Sequence, residues 1–218
     1  MNEQERAEQH LKTIRRLMER ATIYRAISAP TALVGGLLSF IACAIGWTLP
    51  AGIALDHRNN FIFLWLVVLF LTVAANTLFI VLGARKRDEP VFSKSMKAAF
   101  VALAPAFLTA AVLTFLFGET SDPSEEFTVS IMWAICYGLG LLATSHFAPR
   151  SLTLLGWAFL CSAIAAIMFL RFSNYLLLWI LTVLDAHTAT VFMALTFGLY
   201  HLIYAACAWP RKGAETEP

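Results

Sequence analysis

The side chains best suited to chemistry in this chain are polar ones set inside long apolar runs. His201 sits between Tyr200 and Leu202, with Tyr204 close by, and Asn76 sits in an earlier run between Ala75 and Thr77. At about 1.5 Å per helical residue, both would lie roughly 12 Å from the charged end of their helix. Tyr137, Thr144 and His146, together with Ser145, fall in a third run. Hydrogen-bonding and ionisable groups in apolar surroundings are costly, and by default they mark binding or proton-relay positions. Asn76, Tyr137, Thr144, His146, Tyr200 and His201 are therefore candidates for one polar cavity facing the cytoplasm. The alternative is that they tie helices together through hydrogen bonds, each worth about 0.6 kcal/mol on average.

Other chemistries find little support. A bis-histidine haem site needs two ligands at matching depth, whereas His146 and His201 would differ by about 10 Å along their helices. No HExxH, P-loop, GxSxG or CxxC pattern occurs, so the usual metal, phosphate and nucleophile arrangements are missing. Cys43, Cys136, Cys161 and Cys207 fall in four different apolar runs and read as small buried apolar residues. Two polar knots, Asp56-His57-Arg58 and Asp185/His187 near Arg171, could face the outer side. On a helix, Asp185 and His187 would not share a face, and no nucleophile motif accompanies them. No cofactor and no metal are expected.

The elements that must position these residues are membrane helices. Of 218 residues, 59% are hydrophobic and 14% charged, against about 45–50% and about 25% for soluble domains. That balance excludes a water-soluble globule and a disordered chain. A net charge of +2, without a clustered basic groove, excludes a nucleic-acid binder. A bilayer core about 30 Å thick needs roughly 20 apolar residues per helix. Six stretches fit, over about 26–47, 61–84, 97–117, 127–147, 151–170 and 188–209. The expected fold is all-α, a polytopic bundle of six transmembrane helices forming one domain over 26–209. The run 175–184 is too short to cross and reads as an interfacial or partly inserted helix.

Orientation follows from the cations. With the N-terminus inside, all of the 16 Lys and Arg residues except Arg58 and Arg171 lie on the cytoplasmic side, as the positive-inside bias requires. The acidic loop 119–126 then falls outside, and both termini, including the tail 210–218, are cytoplasmic. The long charged start does not look like a cleavable signal.

Residues 1–25 read as a basic amphipathic cytoplasmic helix. Leu11, Ile14, Leu17, Met18, Ala21 and Tyr24 gather on one face. Lys12, Arg15, Arg16, Arg20 and Arg25 occupy much of the rest. Such a face suits an anionic inner leaflet, each cation adding about 1 kcal/mol near the surface. The other readings are a stop that only orients the first span, or a helix pairing with a second copy or another membrane protein.

Span one carries a stripe of small residues that includes Ala32, Gly35, Gly36 and Ser39. Helices in lipid associate by close backbone approach at such residues. Ala134/Gly138 and Ala194/Gly198 repeat the theme in spans four and six, which places those two spans beside span one. The Ala-Pro starts at Ala29-Pro30 and Ala148-Pro149 hint at an internal repeat of the kind transporters use.

Residues 18–36, from Met18 through Arg25 and Pro30 to Gly36, and residues 145–152, from Ser145 through His146 and Arg150 to Leu152, carry a resemblance. With most of the chain, they are similar to an uncharacterised group of bacterial multi-spanning inner-membrane proteins. The resemblance implies a bacterial cytoplasmic membrane and no particular substrate. Together these readings favour a non-enzymatic membrane component with a structural, assembly or regulatory role. The alternative is a small transporter or channel-like protein with its cavity near Asn76, Tyr137 and His201.

Overall fold

The computed structural model describes residues 4, 6–11, 29–48, 57–87, 94–117, 123–146, 148–172 and 187–209. The basic face from Lys12 to Arg25, the run 175–184 and the tail 210–218 lie outside them, as do Asp56 and Asp185. Residues 6–11 are helical and exposed.

Apolar segments in a bilayer must satisfy their own backbone, so each span is a helix. These are α1 (Ala29–Thr48), α2 (His57–Arg87), α3 (Lys94–Phe117), α4 (Pro123–Ala143) and α5 (Arg150–Phe172). The sixth span is continuous but composite: α6 (Thr188–Met193), a π-helical turn (Ala194–Leu199) and α7 (Tyr200–Ala208). Six helical spans are long and apolar enough to cross a membrane, and no strand occurs among the described residues. The chain is an all-α, multi-pass membrane bundle.

Two boundaries depart from the hydropathy reading for local reasons. The fourth helix begins at Pro123, before the expected 127, because Pro suits the first helical turn, where its missing N–H is no loss. Glu125 and Glu126 follow in that turn, at the positive end of the helix dipole. The same helix ends at Ala143 instead of 147. Pro149 disfavours helical geometry at the residue before it, and the chain turns first. The Thr144 and Ser145 amides bond to the Leu141 and Leu142 carbonyls at 3.1 and 3.0 Å, and the Ala148 amide to the Thr144 carbonyl at 2.8 Å.

Helix contacts follow the small residues. Along α1, Ala32, Gly35, Gly36 and Ser39 are all buried. A Cβ on Gly36 would meet the Leu202 side chain at 2.7 Å and the Gly198 carbonyl at 3.0 Å. One on Gly35 would meet Thr72 of α2 at 3.2 Å. The chief neighbours of α1 are thus the sixth span and α2. Span four, expected beside span one, packs instead on α5 and α3. The reason is a second glycine: Gly138 faces Gly156, and a Cβ on Gly138 would lie 2.9 Å from the Gly156 carbonyl.

Two cores result. One gathers Phe159, Leu152, Ala134 and Tyr204, from α4, α5 and α7, with Ala32 of α1. The other joins Phe61, Trp65 and Val68 of α2 to Ala42 of α1 and to Ala189 and Met193 of α6. By contrast, α3 buries none of its described side chains fully and has α4 as its one substantial neighbour.

Candidate functional site: an intramembrane cavity beside a histidine–tyrosine pair

The site begins with a break in helical regularity. Ala194–Leu199 is wound as a π-helix, which shifts backbone bonds from four residues to five and often occurs at functional positions. Every residue beyond the turn is rotated relative to a regular helix. Phe197, within the turn, and His201, just beyond it, face Tyr137 of α4, their ring centroids lying 5.3 and 5.5 Å from its ring.

The polar atoms of this group are tied down. His201 Nδ1 lies 2.8 Å from the Phe197 carbonyl, and Nε2 lies 2.8 Å from the Tyr137 hydroxyl. A carbonyl only accepts, so Nδ1 carries the proton; in the neutral ring Nε2 then accepts from the tyrosine O–H. Around them is an aromatic cluster centred on Phe159, which is fully buried. Its ring centroid is 4.8 Å from Tyr137, 4.9 Å from Phe197, 5.6 Å from Tyr200 and 5.7 Å from His201, mostly edge-to-face. That geometry is the favoured one for aromatic rings.

The remaining sequence candidates go elsewhere. Asn76 accepts from the Thr31 hydroxyl at 3.1 Å, joining α2 to α1. Tyr200 bonds to Ser162 of α5 at 2.6 Å. Thr144 is buried and donates to the Leu141 carbonyl at 2.7 Å, closing the end of α4. His146 is exposed in the turn that follows. Cys43 donates to the Thr190 carbonyl at 3.2 Å, and His187 stacks on Trp47 at 4.3 Å. Among the described residues, no group of three or more His, Cys, Asp or Glu is placed to hold a metal ion.

A cavity of about 470 Å³ lies against the histidine–tyrosine pair, within the roughly 300–1,000 Å³ typical of small-molecule sites. Tyr137 and His201 line it; Asn76, Thr144, His146 and Tyr200 do not. Most of its wall comes from residues that sequence reasoning did not single out: Trp65 and Thr72 of α2, Ala106, Ala110 and Thr114 of α3, and Trp133 of α4. The Trp133 indole donates to Thr114 at 2.7 Å, which pins α3 to α4 across the floor. The two side walls, α2 and α3, make at most slight contact with each other, and the cavity between them is only partly enclosed. The available signal was the run of small residues at Ala106, Ala110 and Ala111 of α3, all of which line the cavity.

No protein-family model, curated protein or solved structure matches the chain.

Proposed function

We propose that this protein is a non-enzymatic, multi-pass component of a bacterial cytoplasmic membrane that acts by packing and assembly. The observation that carries this reading is how its deep polar side chains are used. Thr31–Asn76 joins α1 to α2, Thr114–Trp133 joins α3 to α4, Tyr137–His201 joins α4 to α7, and Ser162–Tyr200 joins α5 to α7. Each bond stitches one span to another. Groups spent in this way set the shape of a bundle rather than hold a reacting substrate.

The cation distribution supports cytoplasmic termini, and the resemblance of residues 18–36 and 145–152 supports a bacterial inner membrane. The basic segment 1–25 then rests on the anionic inner leaflet. The surface available for assembly is the outer stripe of α3. Val101, Leu108 and Phe115, spaced by seven, are 74%, 67% and 74% exposed. A seven-residue repeat keeps one seam facing a partner helix, where interdigitation of side chains and not a hydrophobic push would hold it, and a second copy of this chain is the partner proposed.

The test replaces the four native cysteines and introduces Val101→Cys or Leu108→Cys. Oxidation in native membranes should give a disulfide-linked dimer from at least one position. Monomer alone at both positions would overturn the assembly reading. A small transporter is the second reading, favoured by the cavity beside Tyr137 and His201. It would gain if proteoliposomes carried a solute flux that His201→Phe abolished.

A further inference from the structure

We infer that the cavity between α2 and α3 is a binding site for one hydrocarbon chain of a membrane phospholipid, drawn in sideways from a single leaflet.

Its position argues for this first. The lining runs from Trp65 to Thr72 on α2, from Ala106 to Phe115 on α3 and from Met193 to His201 on the sixth span. Those stretches cover about 10–14 Å along the helices, close to half of a hydrocarbon core about 30 Å thick. They start near the end of the bundle that holds Thr48, Phe61, Phe117 and Thr188. The inner end, at Tyr137, His201 and Gly35, lies about 5 Å past the middle of their spans. The cavity therefore opens in one leaflet and has the length of a single chain, whose methyl end would reach the histidine–tyrosine pair.

Its chemistry argues next. Apart from the Thr72 hydroxyl and the Cys136 thiol, the polar groups on the wall are already paired. Tyr137 holds His201, Trp133 holds Thr114, and Ser39 donates to the Gly35 carbonyl at 2.8 Å. The rest is alkyl and aromatic surface. A water filling this space would find few of the two to four polar partners it needs, whereas a hydrocarbon chain needs none. Access argues last, because the open side between α2 and α3 faces the medium around the bundle. In a membrane that medium is lipid.

A retained chain differs from the lipid that coats every membrane protein in reaching interior rings. Trp65 is buried, at 5% exposure, yet both it and Trp133 border the cavity. The test uses the full chain in phosphatidylcholine vesicles whose acyl chains carry bromine, a contact quencher of tryptophan, near the methyl end. The signal of Trp133 is isolated as the emission removed by Trp133→Phe. Trp133 should lose most of its emission in brominated vesicles. Ala110→Phe, which fills the cavity with a ring, should restore it to the unbrominated level. Quenching of Trp157, exposed on α5 and isolated by Trp157→Phe, should be the same with and without the block. If Ala110→Phe does not fold, Ala111→Phe fills the same space.

Absence of Trp133 quenching would overturn the inference. So would quenching that the filled cavity leaves unchanged, since that would report coating lipid only. The outcome is read separately from the crosslinking at Val101 and Leu108, whose side chains do not line the cavity, although Phe115 of the same stripe does.

Discussion

The two halves of this bundle are built from different residues and held together differently. Around Phe159, helices α4 and α5 meet glycine to glycine, and the sixth span crosses α1 where Gly36 faces Gly198. Helices α2 and α3 turn many large apolar side chains outward, such as Phe70, Val101, Leu108 and Phe115. In water such a surface would drive collapse. In lipid there is no hydrophobic push between helices, so large apolar residues do not draw α2 and α3 together. Contact forms where backbones can approach, and elsewhere the bundle stays open. In this protein glycine, more than apolar bulk, marks where helices approach most closely, at Gly138–Gly156 and Gly36–Gly198.

That contrast can be broken or sharpened by substitution. The largest effect should come from Gly138→Leu, because the new Cβ would lie 2.9 Å from a backbone carbonyl that cannot rotate away. Overpacking of this kind typically costs about 1–3 kcal/mol, occasionally more. Denaturation in detergent with added dodecyl sulfate, followed by tryptophan emission, should show an early transition or no folded protein.

Gly36→Ala should cost less, at the lower end of about 1–3 kcal/mol. A methyl group is smaller than the leucine side chain of Gly138→Leu, and although the Gly198 carbonyl stands at 3.0 Å, the nearest neighbour is the flexible Leu202 side chain at 2.7 Å. If Gly36→Ala were as harmful as Gly138→Leu in the same assay, the α1 crossing would be the tighter of the two.

Tyr137→Phe removes one interhelical hydrogen bond and leaves His201 Nε2 without its donor. The expected loss is about 0.6 kcal/mol, with about 1.7 as the upper end for such bonds in membranes. A double-mutant cycle with His201→Phe should return a coupling of that size. A coupling near zero would remove the pair from the bonds that hold α4 to α7.

The smallest effect belongs to the open half. Val101→Ala, at a side chain 74% exposed, should change stability by no more than about 0.5 kcal/mol. A larger loss in the isolated protein would mean that α3 is covered even in detergent, as an assembled dimer would have it.

Much of the architecture was legible because length and apolarity are local properties. Spans two, three, five and six lie within a few residues of the stretches read from hydropathy. The ends of span four did not, because Pro123 and Pro149 act through backbone geometry that a hydropathy window does not register. The buried stripe Ala32, Gly35, Gly36 and Ser39 was readable as a contact face, but its partner was not. Glycines on α4 and α5 suit each other better than either suits α1, and that preference depends on three helices at once.

The candidate polar residues divide in the same way. Their placement in apolar helices made hydrogen bonding obligatory, and the types involved limited the bonds they could form. Which partner each one took depended on depth and rotation. His201, just beyond the π turn at Ala194–Leu199, meets Tyr137, while Asn76 meets Thr31.

By itself, then, the sequence determined that this chain is a helical multi-pass membrane protein, where most of its spans run, and which polar groups lie deep within them. Those features follow from burying a backbone in hydrocarbon and need no knowledge of neighbours. Tertiary structure alone decided that span four lies against span five, that Tyr137 and His201 form the pair, and that a cavity opens between α2 and α3. Each of those depends on how side chains from different helices fill, or fail to fill, the same space.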